Sequence, residues 1–306
     1  MKNIIKVLFF NIIFLIVFFI LFELIGFYIE NDHKLYVKTS FPEFFNTYIK
    51  DQMRKPVGLE YTKKAIILFG CSYTHGDLLR EEQTFSYKLS QYTKRPVFNK
   101  AYSALSTQHM YWQTLQPEFY ESITRTPEYA IYVCCNQLHL LRLHRCFLPP
   151  SASLDIRYTL AKNNVLKEFS TPFDKFYNLQ LVKFLYNTYF YSEDAVTRFT
   201  NRDIMLMKQL IIQSKEELQK HYPDLKFVVL YFNDRANVID SIEPLYYNQI
   251  YNTLEDYDIK FIDTADLVGF PFDHNYLTEY AIENDGHPNE KVWDLIVPKL
   301  AEELNL

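Results

Sequence analysis

The sequence predicts a three-layer α/β/α sandwich around a central parallel sheet, preceded by one N-terminal transmembrane helix. Three observations carry this expectation. Five short runs rich in β-formers are almost continuously apolar, as strands buried on both faces are. Helical periodicity fills most of the intervals between them. The chain also begins with an apolar run, "IIKVLFFNIIFLIVFFILFELIGFYI", interrupted only by Lys6, Asn11 and Glu23, which is long enough to cross a hydrocarbon core of about 30 Å.

Residues 1–28 are therefore expected to be a membrane anchor. A cleaved signal peptide is the competing reading, but the run is too long for one and no small-x-small cleavage site follows it. Lys2 and Lys6 lie at its start and Glu30 and Asp32 follow it, so the positive-inside rule places the N-terminus in the cytoplasm. The remainder of the chain is then expected outside, in the periplasm or on the cell surface. Residues 29–62 mix charge, aromatics and two prolines without sustained periodicity, as a linker partly packed on the domain would.

The domain itself is expected over residues 63–306. Its strands are predicted at 65–70 ("AIILFG"), 96–101 ("PVFNKA"), 129–135 ("YAIYVCC"), 226–232 ("KFVVLYF") and 259–264 ("IKFIDT"). Helices are predicted at 82–93, 107–121, 203–221, 244–256 and 289–304. One interval breaks the rhythm. The third strand and the helix at 203 are about 65 residues apart, more than a compact domain needs for a loop, so an insertion is expected at about 140–200. It leaves from the carboxyl end of a strand, where open parallel sheets bind ligands. Its many Tyr and Phe either stack on sugar rings or pack the insertion against the domain.

Composition excludes some functions. Only 6 glycines occur, so a Gly-rich phosphate cradle is not expected. The net charge of −5 is spread without long blocks of one sign, which leaves no electrostatic footprint for nucleic acid. The four cysteines, Cys71, Cys134, Cys135 and Cys146, fall in the exported part, where disulfides are permitted. Cys71 and Cys134 or Cys135 stand at strand ends and read as buried thiols. The cysteine spacing is unlike a zinc site, and the histidines show neither H-E-x-x-H spacing nor a Cys/His cluster, so no metal or organic cofactor is implied.

Four features at or beyond strand ends could carry chemistry. Ser72, in "FGCSYTHG", follows the first strand and precedes a helical region, so its hydroxyl and its N–H can both face the space above the sheet. Near the C-terminus, "NDGHPNEK" places Asp285 and His287 around Gly286, just before an amphipathic helix with Pro288 suited to its first turn. Helix entry accounts for Asp, Asn and Pro there but does not require the histidine. A carboxylate two residues away can orient an imidazole and stabilise its protonated form, as a general base needs. The third feature is the small, polar loop "VFNKAYSALSTQHM", containing Asn99, and the fourth is Asn136 in "YVCCNQLHLLR". A backbone N–H from the one and the amide of the other could donate to a developing oxyanion.

Taken in chain order, the four blocks resemble the SGNH (GDSL-like) hydrolases, including their membrane-tethered members. "FGCSYTHG" is similar to the block that carries the nucleophile, "NKAYSALST" to the second, "CCNQ" to the third and "DGHPN" to the last, and the resemblance covers residues 65–304. The resemblance implies a flavodoxin-like fold, a catalytic triad of Ser72, His287 and Asp285, and an oxyanion hole formed by Ser72, Ala104 and Asn136. The chain departs from the family pattern in two places. Ala104 stands where the family has glycine, and alanine cannot take every conformation that glycine can. Asn136 lacks the usual Gly before it and Asp after it. "LHLLRLHR" is similar to a His-x-x-Arg feature of some tethered relatives, which makes His139 and Arg142 candidate substrate contacts; the structural alternative is a helix start. His75 is expected beside the site rather than in it.

The resemblance therefore implies a serine esterase acting on O-acetyl or other ester groups of an extracytoplasmic glycan or lipid. Two alternatives remain open. The same triad serves an O-acyltransferase whose acyl donor comes from a membrane partner, and the altered middle blocks also suit a non-catalytic glycan-binding or assembly protein.

Overall fold

The computed structural model describes residues 11, 14–21, 45–135, 139, 158–160, 166–168, 201–232, 250–270, 272 and 276–306. At its centre is a five-stranded sheet of β1 (Ala65–Phe69), β2 (Val97–Asn99), β3 (Pro127–Cys135), β6 (Lys226–Phe232) and β7 (Ile259–Asp263). Two further strands, β4 (Tyr158–Leu160) and β5 (Leu166–Glu168), form a separate antiparallel pair. The sheet order is β2-β1-β3-β6-β7, and every pairing in it is parallel. Each predicted strand is present: β1, β2 and β7 are shorter by one to three residues, β3 begins two residues earlier and β6 has the predicted bounds.

The period-2 alternation of side chains splits the core into two layers. Ile67, Phe69, Ala130, Tyr132, Phe227 and Val229 face α3 (Thr107–Thr114), α4 (Pro117–Glu121) and α5 (Asn201–His221). Ile66, Leu68, Ile131, Val133, Val228 and Leu230 face α2 (Phe85–Thr93), α6 (Thr264–Val268) and α7 (Glu290–Leu304). Helices thus cover both faces, as the near-continuous apolar strands require. The order reverses between β1 and β3, so the crevice beyond the carboxyl ends of these two strands is where an open sheet of this kind accepts a ligand.

The helices differ from expectation in detail. The stretch predicted at 107–121 divides into α3 and α4 around Leu115 and Gln116, with Pro117 opening the second piece, as its fixed φ favours. All eight residues of α3 are buried, so it is an interior helix rather than an amphipathic one. Of the helix predicted at 244–256, residues 244–249 lie outside the described residues. The described part forms two single turns, Tyr251–Thr253 and Glu255–Tyr257. The sequence reading missed α6, which is too short to show a period; Asp263 caps it by accepting from the Ala265 N–H at 2.7 Å.

Of the expected anchor, Asn11 and residues 14–21 are described, and all are helical. No helix among the described residues is long and apolar enough to cross a membrane. Phe14, Leu15, Ile16, Val17, Phe18, Ile20 and Leu21 are nevertheless all exposed, so this short piece presents apolar side chains around most of its circumference. The segment expected to be a linker packs more closely than expected from residue 45 onward. Helical turns at Phe45–Ile49 and Lys50–Gln52 lie on the domain, and Val57 forms an antiparallel bridge to Val97 on edge strand β2.

Candidate active site

The site is built from the chain's departures from the sheet. At the end of β1, Gly70 has φ +155°, and a Cβ there would lie 2.1 Å from the Thr74 Oγ1 and 3.1 Å from the Val133 carbonyl. Only glycine permits so close a return. Cys71 is extended, and Ser72 then opens the single helical turn α1 (Ser72–His75). Gly76, at φ 79°, closes this turn, and its N–H donates to the Ser72 carbonyl at 2.9 Å. Ser72 is half-buried, and its N–H, standing at the first position of the turn, has no place in the helix's own hydrogen bonds.

Asn99, at the end of β2 and 2% exposed, joins α1 to the next loop. Its amide donates to the Thr74 carbonyl at 2.8 Å and its carbonyl accepts from the Ala101 N–H at 3.1 Å. In that loop Ala104 sits at φ 64°. The expected limit on alanine is therefore overcome, because this residue adopts the left-handed conformation that a glycine would, at a cost of about 1–2 kcal/mol.

The other half of the site comes from the C-terminal end. Asp285 and His287 lie in a tight turn closed by Gly286 at φ 90°, with the Asp285 and Gly286 N–H groups both donating to the Ile282 carbonyl at 3.2 Å. Asp285 Oδ1 takes a short hydrogen bond from His287 Nδ1 and accepts from the His287 N–H at 3.2 Å. Helix entry does not use Asp285. The N-cap of α7 is Asn289, whose side chain accepts from the Lys291 N–H at 3.0 Å, and Pro288 stands one residue before that cap rather than in the first turn. Asp285 is thereby left to orient the imidazole.

The His287 ring packs edge-on against Tyr73, with centroids 5.3 Å apart. Residues 215 positions apart in sequence, Ser72 and His287, are thus brought to one end of the sheet. The Ser72 hydroxyl and the His287 imidazole are not hydrogen-bonded to each other. Ligand-free sites often hold such pairs loosely, and they tighten when substrate arrives.

A second carboxylate lies beside them. Asp77 faces His75 Nδ1 at 2.5 Å and accepts a short hydrogen bond from the Ser103 hydroxyl. Burial pushes the Asp77 pKa up. The bonds from His75 and Ser103, together with the charges of His75 and His287, outweigh it, and the carboxyl sits below the usual aspartate range. His75 is thus a neighbour of the site, as expected. Asp77 and Ser103 were not anticipated. Asp77 immediately follows the first block and Ser103 stands in the second, but nothing in the linear sequence pairs them.

Asn136 and Arg142 lie outside the described residues, as does the predicted insertion apart from β4 and β5. His139 is fully buried, and its Nδ1 lies 2.6 Å from the Tyr132 hydroxyl. Cys71, Cys134 and Cys135 are buried thiols. The ligand atoms of Cys71, Cys135 and His139 lie within 4.8 Å of one another, a cluster that linear spacing could not reveal. The Cys71 and Cys135 sulfurs are 3.2 Å apart, closer than the about 3.8 Å that a tetrahedral zinc with bonds of about 2.3 Å would impose.

No family model and no curated protein matches the chain. Solved structures similar to it include an acetyl xylan esterase, Est2A, from the rumen bacterium Butyrivibrio proteoclasticus, with 10% identity and a TM-score of 0.45 over 80% of this chain and 64% of that one. The chain therefore spans less than two thirds of that enzyme. A member of the lipolytic protein G-D-S-L family from Veillonella parvula shows 14% identity and a TM-score of 0.43, covering 79% of this chain and 98% of that one. For the psychrotrophic esterase EstA from Pseudoalteromonas sp. the values are 11%, 0.45, 79% and 97%.

Proposed function

We propose that the chain is a serine esterase that removes ester-linked acyl groups, O-acetyl above all, from an extracytoplasmic glycan or lipid. The observation that carries this reading is the Asp285–His287 pair lying against Tyr73, the residue after Ser72, from the opposite end of the chain. A carboxylate on Nδ1 keeps that nitrogen protonated and leaves Nε2 as the base. His287 removes the Ser72 proton and Ser72 Oγ bonds to the ester carbonyl carbon. The resulting oxyanion is held by the Ser72 and Ala104 N–H groups and the Asn136 amide. Collapse breaks the bond to the alcohol, which leaves with the proton from His287, and water then repeats the sequence to release the acid.

The exposed apolar side chains of residues 14–21 support a membrane-inserted N-terminus. The catalytic domain then lies outside the cytoplasm, with Arg142 as a candidate substrate contact, whereas His139, fully buried against Tyr132, is too enclosed to be one.

Labelling with a fluorophosphonate, followed by turnover of an aryl acetate, tests the proposal. Wild type is expected to label at Ser72 and to hydrolyse the ester. Ser72→Ala should do neither, and His287→Ala should lose at least about a thousandfold in rate. Folded wild-type protein that does not label would overturn the catalytic reading in favour of a binding protein. Gain rather than loss of acetyl on an offered glycan would show that a sugar hydroxyl, not water, receives the acyl group.

A further inference from the structure

The membrane-proximal segment reaches both loops that would supply the oxyanion donors. Arg54 lies against the turn that follows Ser72. Its Nε donates to the His75 carbonyl at 3.1 Å, and its Nη2 donates to the carbonyls of Gly76 at 2.7 Å and Leu79 at 2.8 Å. Its Nη1 pairs with Glu81 at 3.1 Å. One planar guanidinium thus satisfies three carbonyls at the end of α1, a task for which lysine lacks the fork.

Two residues earlier, the Gln52 carbonyl lies 3.3 Å from His75 Nε2, while its side-chain oxygen accepts from the Tyr102 hydroxyl at 2.5 Å. Ile49 is fully buried, in a cluster with Leu105 and Trp112 against which Tyr102 and Ala104 pack. This small third core belongs to neither face of the sheet. It exists only because residues 45–53 cover the Ala104 loop.

We propose that residues 49–54 are a positioning brace for the ester-cleaving site. Arg54 fixes the Ser72 turn, while Ile49 and Gln52 fix the Ala104 loop, so that two N–H groups from separate loops converge on one oxygen. The brace rests on the esterase reading for its purpose but not for its geometry. Misplacement of about 1 Å in such a donor pair costs up to about a hundredfold in rate while leaving ground-state binding largely intact.

The test uses the full-length protein in detergent and compares wild type with Arg54→Ala, Arg54→Lys and Ile49→Ala. For an aryl acetate, kcat is expected to fall about tenfold or more in Arg54→Ala and in Ile49→Ala, with KM held within about threefold. Arg54→Lys should resemble Arg54→Ala. Millimolar guanidinium should restore part of kcat to Arg54→Ala and nothing to Ile49→Ala, a difference that general destabilisation would not produce. A fall in kcat of less than about fivefold in folded Arg54→Ala and Ile49→Ala overturns the brace. Should wild type neither label at Ser72 nor turn over ester, the esterase reading fails and amide exchange decides the brace. Faster exchange at residues 75–79 in Arg54→Ala and at 102–105 in Ile49→Ala supports it, and unchanged exchange overturns it.

Discussion

Ala104 holds a left-handed backbone without the freedom of glycine, so the loop that would offer its N–H to an oxyanion carries local strain. Ala104→Gly should relieve that strain. Because glycine also widens the unfolded ensemble, the expected net gain is at most about 1 kcal/mol, read as a rise of a few degrees in Tm. The rate should fall within a fewfold of wild type, since the N–H is unchanged. A loss of stability would mean that the Ala104 methyl's packing in the Ile49 cluster matters more than its backbone. At this scale the sequence was legible wherever a residue was chemically out of place. Ser72 follows an apolar strand that stops abruptly, and His287 exceeds what a helix entry needs. Asp77 and Ser103 were illegible, because a carboxylate and a hydroxyl in neighbouring loops mean little until the sheet brings those loops together.

Among the elements, α7 does most to place the C-terminal half of the site. Its cap, Asn289, also donates from its amide to the carbonyls of Glu279 at 2.8 Å and Ala281 at 3.1 Å, so the start of the helix is stitched to the strap that carries His287. Asn289→Asp keeps the cap but loses both donations, whereas Asn289→Ala loses everything. Denaturant unfolding should show a cost of about 1 kcal/mol for Asn289→Ala and less for Asn289→Asp. Both should slow ester turnover by a similar factor, because both release the strap. If Asn289→Asp were as active as wild type, the backbone bonds from the Asn289 N–H to the Tyr280 carbonyl at 2.8 Å and from the Ile282 N–H to the His287 carbonyl at 2.7 Å would suffice to hold the strap. Strand positions were readable from the sequence because a doubly covered parallel sheet leaves continuous apolar runs. Helix ends and breaks were less so. Leu115 and Gln116 interrupt a run whose periodicity continues across them, and α6 owes its existence to one capping aspartate.

For the whole molecule, the stretch expected as a partly packed linker lies on the domain at Ile49, Gln52, Arg54 and Val57. Residues 29–62 lack periodicity because the packed part of this stretch adapts to surfaces made by other elements, and its contacts are spread over Ile49, Gln52 and Arg54. A chain beginning after residue 28 is expected to remain active without detergent, and one beginning after residue 56 to lose aryl acetate turnover. Equal activity in the two would place the working domain entirely after the segment. The parallel order of the sheet also has a temporal side. His287 is made 215 residues after Ser72, which at about 5–20 residues per second is a delay of roughly 10–40 s. On the proposed esterase reading, Ser72 is without its base, His287, throughout that interval. A chain still being made thus cannot turn over ester, and the turn that carries His287, just ahead of the last helix, is what arms it.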